Sequence, residues 1–393
     1  LAAGGAFAAL SMSWQAAAAE TFVLGEIAEL TGAAETIGGP QHNGIKLAVD
    51  EINAAGGLDI GGAKVGIDLR TEDTKSDPTT GVTVVQKLLN RDGASLLVGS
   101  LSGAVAGAYM PIIQNREDVI NVIVGAGNAG LNEFISVYRP RADGSQSINA
   151  EVVFALKTAK EQGKTSIAIL FDKKLQTNAT AVPQIEKAIR DAGAEVTGPM
   201  EFELGATQFS SQIAALKRAG TEIALFQGYP SDMLTFVKQA RAQGYAGTVV
   251  AASGATAGHV QRADVSSEDL KNVFDIGTPF PSDLVALDKN AAAAQKFADA
   301  YQKAFGAPPG YTSASAYGGV YILARALEKA GTTTDHAKIR EALDALKIEE
   351  VPELAELMIP QDGGRIFSNH QAYFALVLRE WDGQAWKTIS AIE

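Results

Sequence analysis

Short apolar runs alternate with amphipathic segments from Thr21 to about Pro281. The runs predict strands at 22–27, 65–69, 95–98, 119–124, 166–171, 195–202, 223–227 and 248–252. Between them, apolar positions recurring at helical spacing predict helices at about 41–54, 79–91, 104–115, 147–162, 181–192, 209–219 and 231–243. The punctuation fits: Ser76-Asp77-Pro78 reads as a helix start and Gly56-Gly57 as a helix stop. Such β–α alternation predicts two doubly wound, mostly parallel sheets with helices on both faces. The alternation breaks near Tyr138-Arg139-Pro140, which is read as the junction between two domains.

After Pro281 the pattern turns helical (290–305, 313–329 and 334–346), with Pro308-Pro309-Gly310 between the first two segments. The tail, 365–392, alternates through Tyr373, Ala375 and Val377 and reads as an antiparallel hairpin around Asp382-Gly383. The expected division is an N-terminal lobe of 20–139 plus 280–357 and a C-terminal lobe of 140–279 plus 358–393. A chain that crosses several times between lobes is built to open and close about a hinge.

Composition narrows the function. At 393 residues the chain is long for one core, and 46% hydrophobic with 20% charged content is that of a globular protein. A net charge of −12 without a basic stripe argues against a nucleic-acid or anionic-membrane partner. With no cysteine, disulfides, thiolate metal sites and a cysteine nucleophile are all excluded. Residues 1–19 are small and apolar and end in Ala16–Ala19, which reads as the remnant of a secretory signal and predicts a periplasmic protein. No other run approaches the roughly 18 apolar residues of a membrane span.

Catalytic motifs are weak. Gly125-Ala126-Gly127-Asn128-Ala129-Gly130 matches a dinucleotide fingerprint after a strand, but far from the first βαβ unit and without the acidic residue that should follow. Gly99-Ser100-Leu101-Ser102-Gly103 lacks nucleophile-elbow spacing, and the four histidines (His42, His259, His336, His370) are scattered. Glu72-Asp73 is explained by an exposed loop beside a helix start. No enzyme, cofactor or metal is expected. What recurs instead is a polar or glycine-rich turn at a strand end: Gly99–Ala104, Gly125–Asn128, Gln227–Tyr229 and Ser253-Gly254. That edge of an open α/β sheet is where ligands bind.

Taken together the chain resembles the periplasmic solute-binding proteins of ABC transporters, of the branched-chain amino acid type. The resemblance rests on Leu30-Thr31-Gly32, Asn43-Gly44 with Ala48–Gly57, Ser76-Asp77-Pro78, Gly205–Ser210, Tyr317-Gly318 with Ala326–Gly331, and Asp382-Gly383. It implies a type I bilobed receptor, acting as a monomer, that closes on a small solute and delivers it to an inner-membrane permease. It implies that Ser100, Ser102, Gly103 and Ala104 hold the ligand carboxylate together with Gly125, Ala126, Gly127 and Asn128. Oxygens near Gln227–Asp232 would meet an ammonium, Tyr229 and Phe280 would cover the apolar part, and Phe171 and Ser253 would complete the second jaw. Here Gly103 directly follows Ser102, and the second turn lacks Ser and Thr hydroxyls. These departures leave two solutes open, an apolar amino acid and an aromatic or aliphatic carboxylate or amide. They also leave open two uses, uptake and ligand sensing.

Overall fold

The computed structural model describes residues 20–392 apart from 129, 143, 174, 175 and 204. The expected leader, 1–19, lies outside the described residues.

The first run of the chain gives β1 (Glu20–Ala28), α1 (Glu35–Ala54), β2 (Leu58–Ile60), β3 (Ala63–Asp73), α2 (Pro78–Asn90), β4 (Leu96–Gly99), α3 (Gly103–Ile113), β5 (Ile120–Val122) and β6 (Val137–Tyr138). Their sheet has the order β2-β3-β1-β4-β5-β6, parallel except for β2. The second run gives α4 (Gly144–Gln162), β7 (Ser166–Asp172), α5 (Gln176–Asp191), β8 (Glu195–Phe202), α6 (Ser210–Arg218), β9 (Ile223–Gln227), α7 (Pro230–Ala242), β10 (Thr248–Ala251), α8 (Ala257–Ala263), β11 (Val273–Gly277) and α9 (Pro281–Ala286). Three helices follow: α10 (Ala291–Phe305), α11 (Tyr311–Ala330) and α12 (His336–Ala345). The tail forms β12 (Met358–Ile359), β13 (Phe367–Ser368), β14 (Gln371–Phe374), β15 (Leu376–Trp381) and β16 (Trp386–Ile392).

The second sheet has the order β16-β15-β11-β10-β9-β7-β8. Its β7 to β11 portion is parallel, and β15 and β16 extend it antiparallel as the expected hairpin. Every residue of β7, β9 and β10 is buried, which is why these strands read as unbroken apolar runs. Strand β11 escapes that reading because Asp275 interrupts it. The Asp275 carboxylate is tolerated at full burial because the Ser253 and Gly254 amides and the Ser253 hydroxyl donate to it. Helix α1 starts six residues earlier than its pattern predicts, because Gly38-Gly39-Pro40 reads as a breaker yet sits in the opening turns.

Packing revises the expected lobe boundaries. Phe297, Tyr317, Leu327 and Leu343 join Leu24, Ile45 and Ile52 in one core, and so do Met358, Phe367 and Phe374. The chain therefore returns to the second core only at Leu376, not at residue 358. The reason is that β14 pairs with β12 and β13 and is bridged at Gln371 to Arg139. Conversely Asp283, at the start of α9, is bonded to Arg379 of β15 and Thr388 of β16, so this segment belongs with the second sheet.

Helix α11 is buried along almost its whole length against α1. The two come so close that a Cβ on Gly44 would stand 2.2 Å from the Ser313 carbonyl oxygen. Glu51 of α1 accepts both the Tyr317 and Tyr321 hydroxyls, at 2.7 and 3.0 Å. Gly44→Ala forces backbone against backbone and is expected to destabilise by about 1–3 kcal/mol. A denaturant midpoint equal to that of the unmutated protein would show that the helices can part to admit a methyl group.

Candidate functional site

The parallel strands of both sheets deliver their carboxyl ends to turns. In the first lobe, β4 ends at Gly99, where a φ of +107° and a Cβ that would stand 2.3 Å from the Ile27 carbonyl oxygen admit only glycine. The next three residues are tied down internally. Ser100 is fully buried and its hydroxyl donates to the Ser102 carbonyl at 3.3 Å. The Leu101 and Ser102 amides donate to the Glu29 carboxylate at 2.9 and 3.1 Å. Burial raises the Glu29 pKa above its ordinary value, against the lowering effect of those amides. The Ser102 hydroxyl caps α3 by accepting from the Val105 amide.

Among the described residues, the Gly103 and Ala104 amides that open α3 have no acceptor. The second turn is stitched to the first through the Ala126 amide, which donates to the Ser100 carbonyl at 2.9 Å. Its carbonyls point away to two arginines of the crossing segment. Arg139 donates to Asn128 O at 2.8 Å and Ala126 O at 3.3 Å, and Arg141 donates to Gly125 O. The Gly127 and Asn128 amides have no acceptor among the described residues. Four donors, two from each turn, thus remain for a ligand anion at a helix N-terminus.

Gly103 is required by its neighbour. The Asn128 side chain donates to the Gly103 carbonyl at 3.1 Å, and its Oδ1 would lie 2.3 Å from any Cβ at residue 103. The asparagine amide fills the space that a side chain there would take.

The second lobe offers a more buried surface. Phe171, near the end of β7, packs into the core. Gln227 is buried and donates to Glu151 at 3.4 Å, and burial holds the Glu151 pKa well above its ordinary value. Ser253 is committed to Asp275. Tyr229 stands out at 44% exposure, just before α7. Its hydroxyl pKa is raised by burial and then by the nearby charges of Asp172, Tyr311 and Asp232. Phe280 lies 4.6 Å beneath the Arg379 guanidinium and 6.2 Å from the Tyr311 ring.

Of the residues singled out from sequence, Gly103, Ala104, Gly127, Asn128 and Tyr229 therefore present free groups, whereas Ser100, Phe171, Gln227 and Ser253 turn theirs inward. Glu29, Arg139, Arg141 and Tyr311 were not anticipated. Nothing local marks Tyr311 beyond its place after Pro308-Pro309-Gly310, and the arginines read only as part of a linker. Among the described residues no cluster of His, Asp and Glu could hold a metal, and no helix is long and apolar enough to cross a membrane.

A family model described as a periplasmic binding protein matches residues 21–385. The chain belongs to that family. A leucine-, isoleucine-, valine-, threonine- and alanine-binding protein of Pseudomonas aeruginosa is 27% identical over 343 residues, 87% of this chain and 86% of the relative. The branched-chain amino acid transporter substrate-binding protein of Streptococcus pneumoniae, solved in complex with isoleucine, matches with a TM-score of 0.72 at 21% identity, over 95% of this chain and 99% of that one. A solute-binding protein of an ABC transporter from R. palustris, solved in complex with benzoate, matches with a TM-score of 0.68 at 18% identity, over 94% and 95% of the two chains. This binding protein thus has the type I bilobed fold expected from its sequence.

Behind the jaws, Glu356 is fully buried, accepts the Ser315 hydroxyl and lies in the field of Arg141. Burial outweighs both and pushes its pKa from 4.5 up to about 8. A raised carboxyl pKa means that the folded state holds the proton more tightly than the unfolded one. Stability should therefore fall between about pH 4.5 and pH 8, by up to roughly 1.4 kcal/mol per pH unit, and level off above. Glu356→Gln should remove that slope; urea midpoints that change with pH identically in the two proteins would refute it. Separately, Gly103→Ser should lower the melting temperature by displacing Asn128, at a cost of about 1–3 kcal/mol. Adding Asn128→Ala should recover most of the loss, and strict additivity of the two changes would exclude the contact.

Proposed function

We propose that this binding protein is an extracytoplasmic receptor that closes its two lobes over a small carboxylate-bearing solute and presents it to an ABC permease. The observation that carries the reading is the set of four acceptor-less amides at Gly103, Ala104, Gly127 and Asn128. Gly103, Gly127 and Asn128 are part-buried and Ala104 is exposed, so their amides are reachable from the cleft, and a ligand carboxylate bound between the two turns satisfies them. A small ligand has few atoms, so useful affinity requires closure over most of its surface. Closure is selected because only the closed form contacts the solute from both lobes. Export across the inner membrane, action as a monomer and the absence of any bond-making step belong to the same reading.

The leading solute is a branched-chain or other apolar amino acid. Asp172 and Asp232, both buried beside Tyr229, support it because they supply the negative potential that an ammonium would meet. The second reading, an aromatic carboxylate, is supported by the grouping of Phe280, Tyr311 and Tyr229.

Thermal denaturation against leucine, isoleucine, valine, benzoate and 4-hydroxybenzoate tests the proposal. A ligand at a hundredfold excess over its Kd stabilises by about 2.7 kcal/mol, which is visible as a rise in melting temperature. A panel in which no carboxylate shifts the transition would sink it. A rise with the amino acids alone would decide between the two solutes.

A further inference from the structure

We propose that Arg141 is the specificity-determining cation of the first-lobe jaw, the group that makes this site prefer a carboxylate over the corresponding neutral amide. The inference rests on the carboxylate-receptor reading above and adds the residue that sets ligand charge.

Arg141 leaves the crossing segment directly after Tyr138-Arg139-Pro140 and is partly buried. Its Nε donates to the Ala142 carbonyl at 2.8 Å and its Nη1 donates to the Gly125 carbonyl. Those two bonds fix the guanidinium plane against the second turn. That turn is pressed onto the first, since a Cβ on Gly125 would come within 2.3 Å of the Leu101 Cα and 2.6 Å of both the Ser100 carbonyl and Gln41 Oε1. The guanidinium is therefore bonded to the first carbonyl of the turn that carries the free Gly127 and Asn128 amides.

The charge of Arg141 is not spent elsewhere. Among the described residues it takes part in no ion pair. The acid in its field, Glu356, is turned to Ser315 and is held largely in its protonated form at neutral pH. Glu29, on the far side of the first turn, is engaged with the Leu101 and Ser102 amides. The peptide that Arg141 bonds carries the Ala126 N–H, which is already donated to the Ser100 carbonyl, so the guanidinium acts on a ligand through its field, which favours an anion beside the turn. A neutral amide gains little from that field. Free backbone amides bind either type of oxygen, so the charge is what separates the two ligands.

The test compares each acid with its own amide, L-leucine with L-leucinamide and benzoate with benzamide, by isothermal titration calorimetry. The proteins are the full chain, Arg141→Gln, which keeps donors but removes the charge, and Arg141→Lys, which keeps the charge. The expected result is that Arg141→Gln weakens the acid by about tenfold or more while the amide changes by less than about twofold, and that Arg141→Lys retains most of the acid preference. The unchanged amide affinity also certifies that the cleft is intact. Equal weakening of acid and amide would reduce Arg141 to a structural brace and overturn the proposal. Unchanged acid affinity in Arg141→Gln would overturn it too, with the receptor reading left standing. Failure of the unmutated protein to bind either acid would instead remove the receptor reading, and the role of Arg141 with it.

Discussion

Every backbone amide carried into the interior needs an acceptor, and the first lobe is organised by how it distributes them. The turns after β4 and β5 bring a set of N–H groups to one sheet edge. Glu29 takes two of them and the Ser100 carbonyl takes one. Four others stay unpaired among the described residues. The glycine at 99 permits the backbone to turn there, and the glycine at 103 admits the Asn128 amide beside it. The pattern of donors is therefore a consequence of packing between two turns, not of either turn alone.

The carbonyl side of the same turns is held by the chain segment that leaves the lobe. Arg139 and Arg141 bond three carbonyls between Gly125 and Asn128, and the next strand partner of Arg139 is Gln371, in the returning segment. A movement of the crossing strands must displace the jaw, and occupation of the jaw must restrain the crossing strands. In the second lobe the corresponding layer is Arg379, Asp283 and Asp275, which hold Phe280 and Ser253 in place. Both jaws thus rest on buried polar networks, which hold geometry more strictly than apolar contacts do because each lost bond leaves a group unsatisfied.

Much of the fold was legible. Strands β7, β9 and β10 and helices α2, α7 and α10 lie within a few residues of their predicted limits, because burial on both faces or on one helical stripe writes directly into the hydrophobic pattern. Strand β11 was not legible, since Asp275 is acceptable only through donors contributed by another turn. The segment 358–374 was misassigned because its strands are two to four residues long, too short to carry a period, and because its partner is an earlier crossing strand.

The sequence by itself determined the alternation of strands and helices, the two-lobed class and the turns at which a ligand would be met, since each depends on contacts between near neighbours or on a residue's own backbone freedom. Only the tertiary structure decided which groups in those turns remain available. Ser100 and Gln227 have polar side chains suited to a ligand, yet both are consumed by partners, Ser102 and Glu151 respectively. Gly127 has no side chain at all, yet its amide is free. Hydrogen-bond availability is a property of the whole neighbourhood, and the groups that compete for it come from residues as far apart as Glu29 and Leu101.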